Sequence, residues 1–237
     1  MGDGYGVERD PARRRGDAGD RGLASGGSER HLNTAAIDPD GVVWFTGQNG
    51  IVGRLDPAST PAGSVIEPVA APRGPGPYGI DVTPEGDVYF ASLAGSYLGK
   101  IVPGEGGSFT LEEIEPPTPG QGTRRVWSDS QGRLWISEWN AGQVGRYDPA
   151  TREWTEWRLP GEAPQVYAVY VDERDDVWLS DFGANALVRF DPDTESFAVV
   201  PLPAVNAQVR QMLGRPGEVW GAESGADALV VVRSICG

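Results

Sequence analysis

The feature that most restricts this chain is an interval. A short apolar run around one aromatic residue recurs at Trp44, Tyr89, Trp135, Trp178 and Trp220, spaced by 45, 46, 43 and 42 residues. Four of the five runs follow a tight-turn signal: Asp40-Gly41, Glu85-Gly86, Gln131-Gly132 and Pro216-Gly217. Glycine there supplies the positive φ that a hairpin turn needs. Only Asp175-Asp176 lacks it. After each aromatic run comes a polar turn and a second apolar run, clearest in Leu134–Pro149. Short strands at this period, without helical periodicity, make one blade of a β-propeller. The chain therefore reads as all-β: a β-propeller of about five blades, near 31–75, 76–121, 122–164, 165–206 and 207–237.

A propeller must bring its last blade against its first or leave sheet faces unburied. Five repeats therefore form a small closed ring, or the chain is an incomplete version of a larger one. Residues 1–30 differ in kind, rich in Gly, Asp and Arg and with almost nothing apolar. They are expected to be disordered or an aberrant start.

With 34 acidic and 20 basic residues the formal charge is −14. That balance repels nucleic acid and anionic lipid, so no nucleic acid and no membrane is expected as partner. One cysteine, Cys236, and one histidine, His31, supply neither an internal disulfide nor a multi-histidine metal site. The chain has no apolar run long enough to cross a bilayer and no secretory signal, which predicts a cytoplasmic monomer, or an exported protein if its true start lies elsewhere.

The repeated signature, Asp-Gly-x-x-Trp-Phe-Thr followed by Gly-x-x-Gly-Arg-x-Asp-Pro, resembles the streptogramin lyase family over about residues 31–235. Members of that family are seven-bladed. The resemblance implies a carbon–oxygen lyase that opens cyclic type B streptogramins, and so confers antibiotic resistance, by magnesium-assisted elimination. A histidine base works there with a glutamate of the neighbouring strand. Carried onto this chain, the histidine position falls on Asn33, Tyr78, Arg124, Tyr167 and Val209, and the acid position on Gly47, Ser92, Glu138, Asp181 and Glu223. No unit pairs a histidine with an acid. Glu138 is the candidate catalytic acid, and His31 takes the base role only after a shift of register. The metal ligands stay unassigned, and Mg²⁺ enters through the resemblance alone.

The alternative is a non-catalytic propeller that binds a small molecule or a peptide at the channel mouth. First strands of propeller blades line the central channel, which gathers Tyr78, Arg124, Arg125, Tyr167 and Arg210 near Glu138, Asp181 and Glu223, with Trp139 as the stacking aromatic. The five marker aromatics pack between blades. Arg54, Arg146 and Arg189, each shortly before Asp-Pro, repeat too regularly to form an asymmetric site and are read as architecture.

Overall fold

The computed structural model describes residues 31–61, 64, 66 and 68–233. The expectations for residues 1–30 and for Cys236 lie outside these. The strands form five antiparallel sheets. The first holds β1 (Leu32–Ile37), β2 (Val43–Gly47), β3 (Ile51–Leu55) and β4 (Val69–Ala70). The second holds β5 (Pro77–Val82), β6 (Val88–Ser92), β7 (Tyr97–Pro103) and β8 (Phe109–Ile114). The third holds β9 (Thr123–Ser128), β10 (Leu134–Glu138), β11 (Gln143–Asp148) and β12 (Glu153–Arg158). The fourth holds β13 (Val166–Val171), β14 (Val177–Asp181), β15 (Ala186–Asp191) and β16 (Ser196–Pro201). The fifth has three described strands, β17 (Val209–Arg215), β18 (Glu218–Glu223) and β19 (Ala228–Arg233). Sequence neighbours pair in every sheet, as hairpin-connected blades require.

Period-two alternation sends successive side chains of a strand to opposite blades. In β10, Leu134 and Ile136 join Tyr89, Ala91 and Leu98 of the second blade. Trp135 turns the other way and packs with Val177, Leu179 and Phe190 of the fourth. Trp157 stacks on Trp135 with ring centroids 5.7 Å apart and also touches Phe190, so it belongs to this blade junction. Full burial of each such side chain is worth about 2–3 kcal/mol. Glycines in the third strands make room for large second-strand side chains. A Cβ on Gly53 or Gly99 would overlap the ring of Phe45 or Phe90.

The turn between first and second strands is held by one recurring carboxylate. Asp129 accepts the backbone N–H groups of Gln131 and Arg133 through Oδ1, each at 3.0 Å. Its Oδ2 accepts the Trp135 indole Nε1–H at 3.0 Å and the Arg133 Nε–H at 2.7 Å. Asp38 does the same for the first turn and Trp44, and Asp172 for the fourth turn and Trp178. The turn glycines Gly41, Gly86, Gly132 and Gly217 have φ between 75° and 92°, and Asp175 takes the same left-handed conformation at φ 62°. The Asp-Pro repeats are architectural, as expected: Asp56, Asp148 and Asp191 accept N–H groups of the turns that follow them.

The innermost strands β1, β5, β9, β13 and β17 pack side by side in succession. Among the described residues β1 and β17 share no comparable contact, so the five blades form an arc. Its two ends expose apolar side chains, Leu32 and Ile37 on β1 and Leu213 and Leu229 on the fifth blade.

Candidate functional site

Each innermost strand starts with a break in register. Leu32, Pro77, Thr123, Val166 and Val209 pair with Gly47, Ser92, Glu138, Asp181 and Glu223. In the third blade Arg125 then faces Ser137, leaving Arg124 as an extra residue between two paired neighbours. The other four blades show the same irregularity at Asn33-Thr34, Tyr78-Gly79, Tyr167-Ala168 and Arg210-Gln211. Such β-bulges re-aim side chains out of the ladder. This register corrects one position carried over from the family. In the fifth blade the counterpart of Tyr78, Arg124 and Tyr167 is Arg210, because Val209 is the ladder residue before the bulge.

Hydroxyl groups of the middle strands support these bulges. The Arg125 N–H donates to Ser137 Oγ at 3.0 Å, and the Ala168 N–H donates to Ser180 Oγ at 2.9 Å. Ser137 Oγ in turn donates to the Tyr167 carbonyl of the next blade at 2.8 Å, as Thr46 Oγ1 does to the Tyr78 carbonyl at 2.6 Å. One small side chain thus satisfies a backbone group that the bulge would orphan and ties two blades together.

The bulge side chains converge on the channel mouth. Tyr78 and Tyr167, from the second and fourth blades, share a hydrogen bond through their hydroxyl groups. Between them comes Arg124, whose guanidinium carbon lies 3.7 Å from the Tyr167 ring centroid and 4.7 Å from those of Tyr78 and Trp139. Arg210 reaches the same Tyr167 ring at 5.6 Å. Phe182 stacks on Tyr167 with centroids 4.9 Å apart and meets Trp139 edge-on, completing an aromatic wall. Arg125 contacts the Tyr78 ring at 4.9 Å, and its Nη1 donates to Thr34 Oγ1 of the first blade at 2.6 Å.

Among the described residues Arg124, Arg125 and Arg210 enter no ion pair. Three unneutralised guanidiniums gathered at one place stand against the overall charge of −14. Burial of the Tyr167 phenol opposes its ionisation. The hydrogen bond with Tyr78 and the charges of Arg124 and Arg125 outweigh burial and hold its pKa below the ordinary tyrosine value. For Arg125, burial dominates and lowers the pKa.

The acids of the neighbouring strand do not join this cluster. Glu138 is fully buried, with both carboxylate oxygens lacking a hydrogen-bond partner. Its side chain leans over β11, where a Cβ on Gly145 would come within 2.6 Å of Oε1. Burial, with the charge of Glu156 adding to it, pushes its pKa up to about 9. Asp181 Oδ1 is engaged by the N–H groups of Gln165 and Gly183, both at 2.8 Å. Glu223 is buried in the fifth blade with Oε1 unpartnered. A hard cation needs several oxygens converging on one point, and among the described residues no three acidic, histidine or cysteine side chains are so grouped. At the mouth itself the guanidiniums of Arg124, Arg125 and Arg210 oppose a divalent cation, and Glu138 and Asp181 stand apart from them. His31 is exposed, with φ 45° and its carbonyl accepting the Gln48 N–H.

Of the residues singled out in sequence, Tyr78, Arg124, Arg125, Trp139, Tyr167 and Arg210 are thus brought together, while Glu138, Asp181, Glu223 and His31 stand apart. Phe182 and the hydroxyl residues Thr46, Ser137 and Ser180 escaped sequence reasoning. Both had a signal: Phe182 follows Asp181 as Trp139 follows Glu138, and a Ser or Thr stands two residues after Trp44, Trp135 and Trp178.

No curated protein matches the chain. Among solved structures it is similar to a catalytically inactive variant of virginiamycin B lyase from Staphylococcus aureus with quinupristin, at TM-score 0.76 and 22% identity, covering 88% of this chain and 71% of that one. The selenomethionine-substituted lyase from Staphylococcus aureus gives TM-score 0.75 at 22% identity, with 88% and 72% covered. A streptogramin B lyase structure gives 0.72 at 23%, with 83% and 63% covered. At such identities the likeness establishes the β-propeller fold. Residues 33–231 also match the virginiamycin B lyase family, and that match spans most of the sequence. The chain with the arginine-filled mouth is therefore a member of the virginiamycin B lyase family.

Proposed function

We propose that this chain is a binding propeller of its family, whose mouth captures a small ligand carrying an anionic group and a flat ring. The single observation behind this reading is Arg124, held on the faces of Tyr78, Trp139 and Tyr167 and paired with no carboxylate. A guanidinium held in a low-dielectric aromatic setting favours an incoming anion, and Arg presents a planar fork suited to carboxylate or phosphate. Arg210 is exposed beside it and offers a second cationic contact, while partly exposed Trp139 and Phe182 offer faces for stacking. The structural relative with quinupristin supports ligand capture by such a propeller. Elimination by a histidine–glutamate pair is not assigned to this chain, since Arg124 and the bulge tyrosines stand at the histidine position. Calorimetric titration with benzoate and phenyl phosphate tests the reading. Binding of both weakened about tenfold by Arg124→Ala and by Trp139→Ala is the expected result. Equal affinity for benzyl alcohol overturns it.

A second reading keeps family chemistry and uses Tyr167 as the base, favoured by the lowered pKa of its phenol. It predicts that purified protein opens a type B streptogramin ring and that Tyr167→Phe loses this activity while Glu138→Gln keeps it. No turnover in mass-spectrometric assay, with or without added Mg²⁺, removes it.

A further inference from the structure

Beyond the mouth, the innermost strands of all five blades line an open cleft of about 400 Å³. Its wall is mixed: Ala35, Ile80, Val126 and Ala168 give small apolar surface, Thr34 and Gln211 give polar surface, and two groups of opposite charge stand in it, Arg125 and Asp81. We propose that this cleft is a second ligand site that takes a short-chain zwitterion, its carboxylate on Arg125 and its ammonium on Asp81.

The argument is one of unpaired charge. Among the described residues neither Arg125 nor Asp81 enters an ion pair, although both line one cleft. Arg125 Nε is buried without a hydrogen-bond partner, while the guanidinium meets Thr34 through Nη1 and the Tyr78 and Tyr167 side chains, all of them uncharged. Asp81 accepts from Ser128 N and Oγ, both through Oδ2. Those bonds fix it at the level of Ser128, three residues along β9 from Arg125, which is about 10 Å of strand. Burial disfavours the charged form of each, lowering the Arg125 pKa and raising that of Asp81. A ligand of one charge would relieve one group only. A ligand with opposite charges at its two ends and methylenes between them meets both charges and the apolar part of the wall.

The site adjoins the mouth, since Arg125 contacts the Tyr78 ring, and differs from the mouth reading in that Arg124 and Trp139 do not line it. Calorimetry on the intact chain with 6-aminohexanoate, hexanoate and hexylamine as probes tests it. 6-Aminohexanoate is expected to bind about tenfold more tightly than either single-charge analogue. Arg125→Met should erase its advantage over hexylamine, and Asp81→Asn its advantage over hexanoate. Ala35→Met, at an exposed position of the wall and without touching charge, should weaken all three probes. Thermal midpoints of the variants identify any that fail to fold, and Ala35→Met then carries the test. No binding of 6-aminohexanoate at about 10 mM, or a ranking unaltered by both charge variants and by Ala35→Met, overturns the proposal.

Discussion

The two ends of the innermost strands obey different rules. At the turn end, the carboxylates of Asp38, Asp129 and Asp172 repeat with the same acceptor geometry toward turn and indole. At the mouth end the backbone repeats, with a bulge in every blade, but the side chains do not: Asn33, Tyr78, Arg124, Tyr167 and Arg210. Architecture is written as repetition because every blade must solve the same packing problem. Recognition is written as asymmetry because one ligand presents different groups to different blades.

Substitutions at four positions break or sharpen that contrast. Asp129→Ala should have the largest effect, a loss of about 3 kcal/mol in denaturant unfolding, since it strands a buried indole N–H, two turn N–H groups and the Arg133 guanidinium at once. Glu138→Gln should stabilise by about 2 kcal/mol at pH 7. Glu138 in the fold stays neutral up to about pH 9, whereas the unfolded carboxyl ionises near the ordinary glutamate value of 4.5. Stability contributed by the neutral form is thus complete below pH 4.5 and declines as pH rises towards 9. Unfolding curves at pH 5 and pH 8 should therefore converge in the Gln variant, and parallel shifts at both pH values would refute this. At the turn that lacks glycine, Asp175→Gly and Asp175→Ala both lose the contacts with Ser130, so the glycine variant should be the more stable by about 1 kcal/mol through its tolerance of φ 62°. Arg210→Ala, at an exposed bulge position, should shift stability by less than about 0.5 kcal/mol while weakening anion binding at the mouth. An equally large stability loss there would erase the distinction between the two ends.

The fold was legible because its determinants are periodic. Trp44, Trp135 and Trp178, the turn glycines and the Asp-Pro pairs announce themselves by interval alone. The mouth was half legible. Its residues could be gathered by assuming that first strands line a channel, but their directions depend on a bulge that inserts one residue without any mark in composition. The bulge explains why Val209 was read in place of Arg210, and why Glu138, one ladder pair away from Arg124, faces Gly145 instead of the mouth. Charge pairing was equally hidden. Acids and arginines adjacent in the repeat suggest mutual neutralisation, yet the arginines aim along the bulge and the acids along the ladder.

The hydroxyl-propped bulge also bears on how such a protein changes over generations. Ser137 and Ser180 bond main-chain groups only, so what they stabilise is indifferent to the side chain carried at the raised position. Replacing Arg124 or Arg210 leaves the ladder, the prop and the link between blades untouched. The scaffold therefore holds these arginines as exchangeable inserts above a packed tyrosine floor, and new specificity at the mouth can accumulate at their positions one substitution at a time.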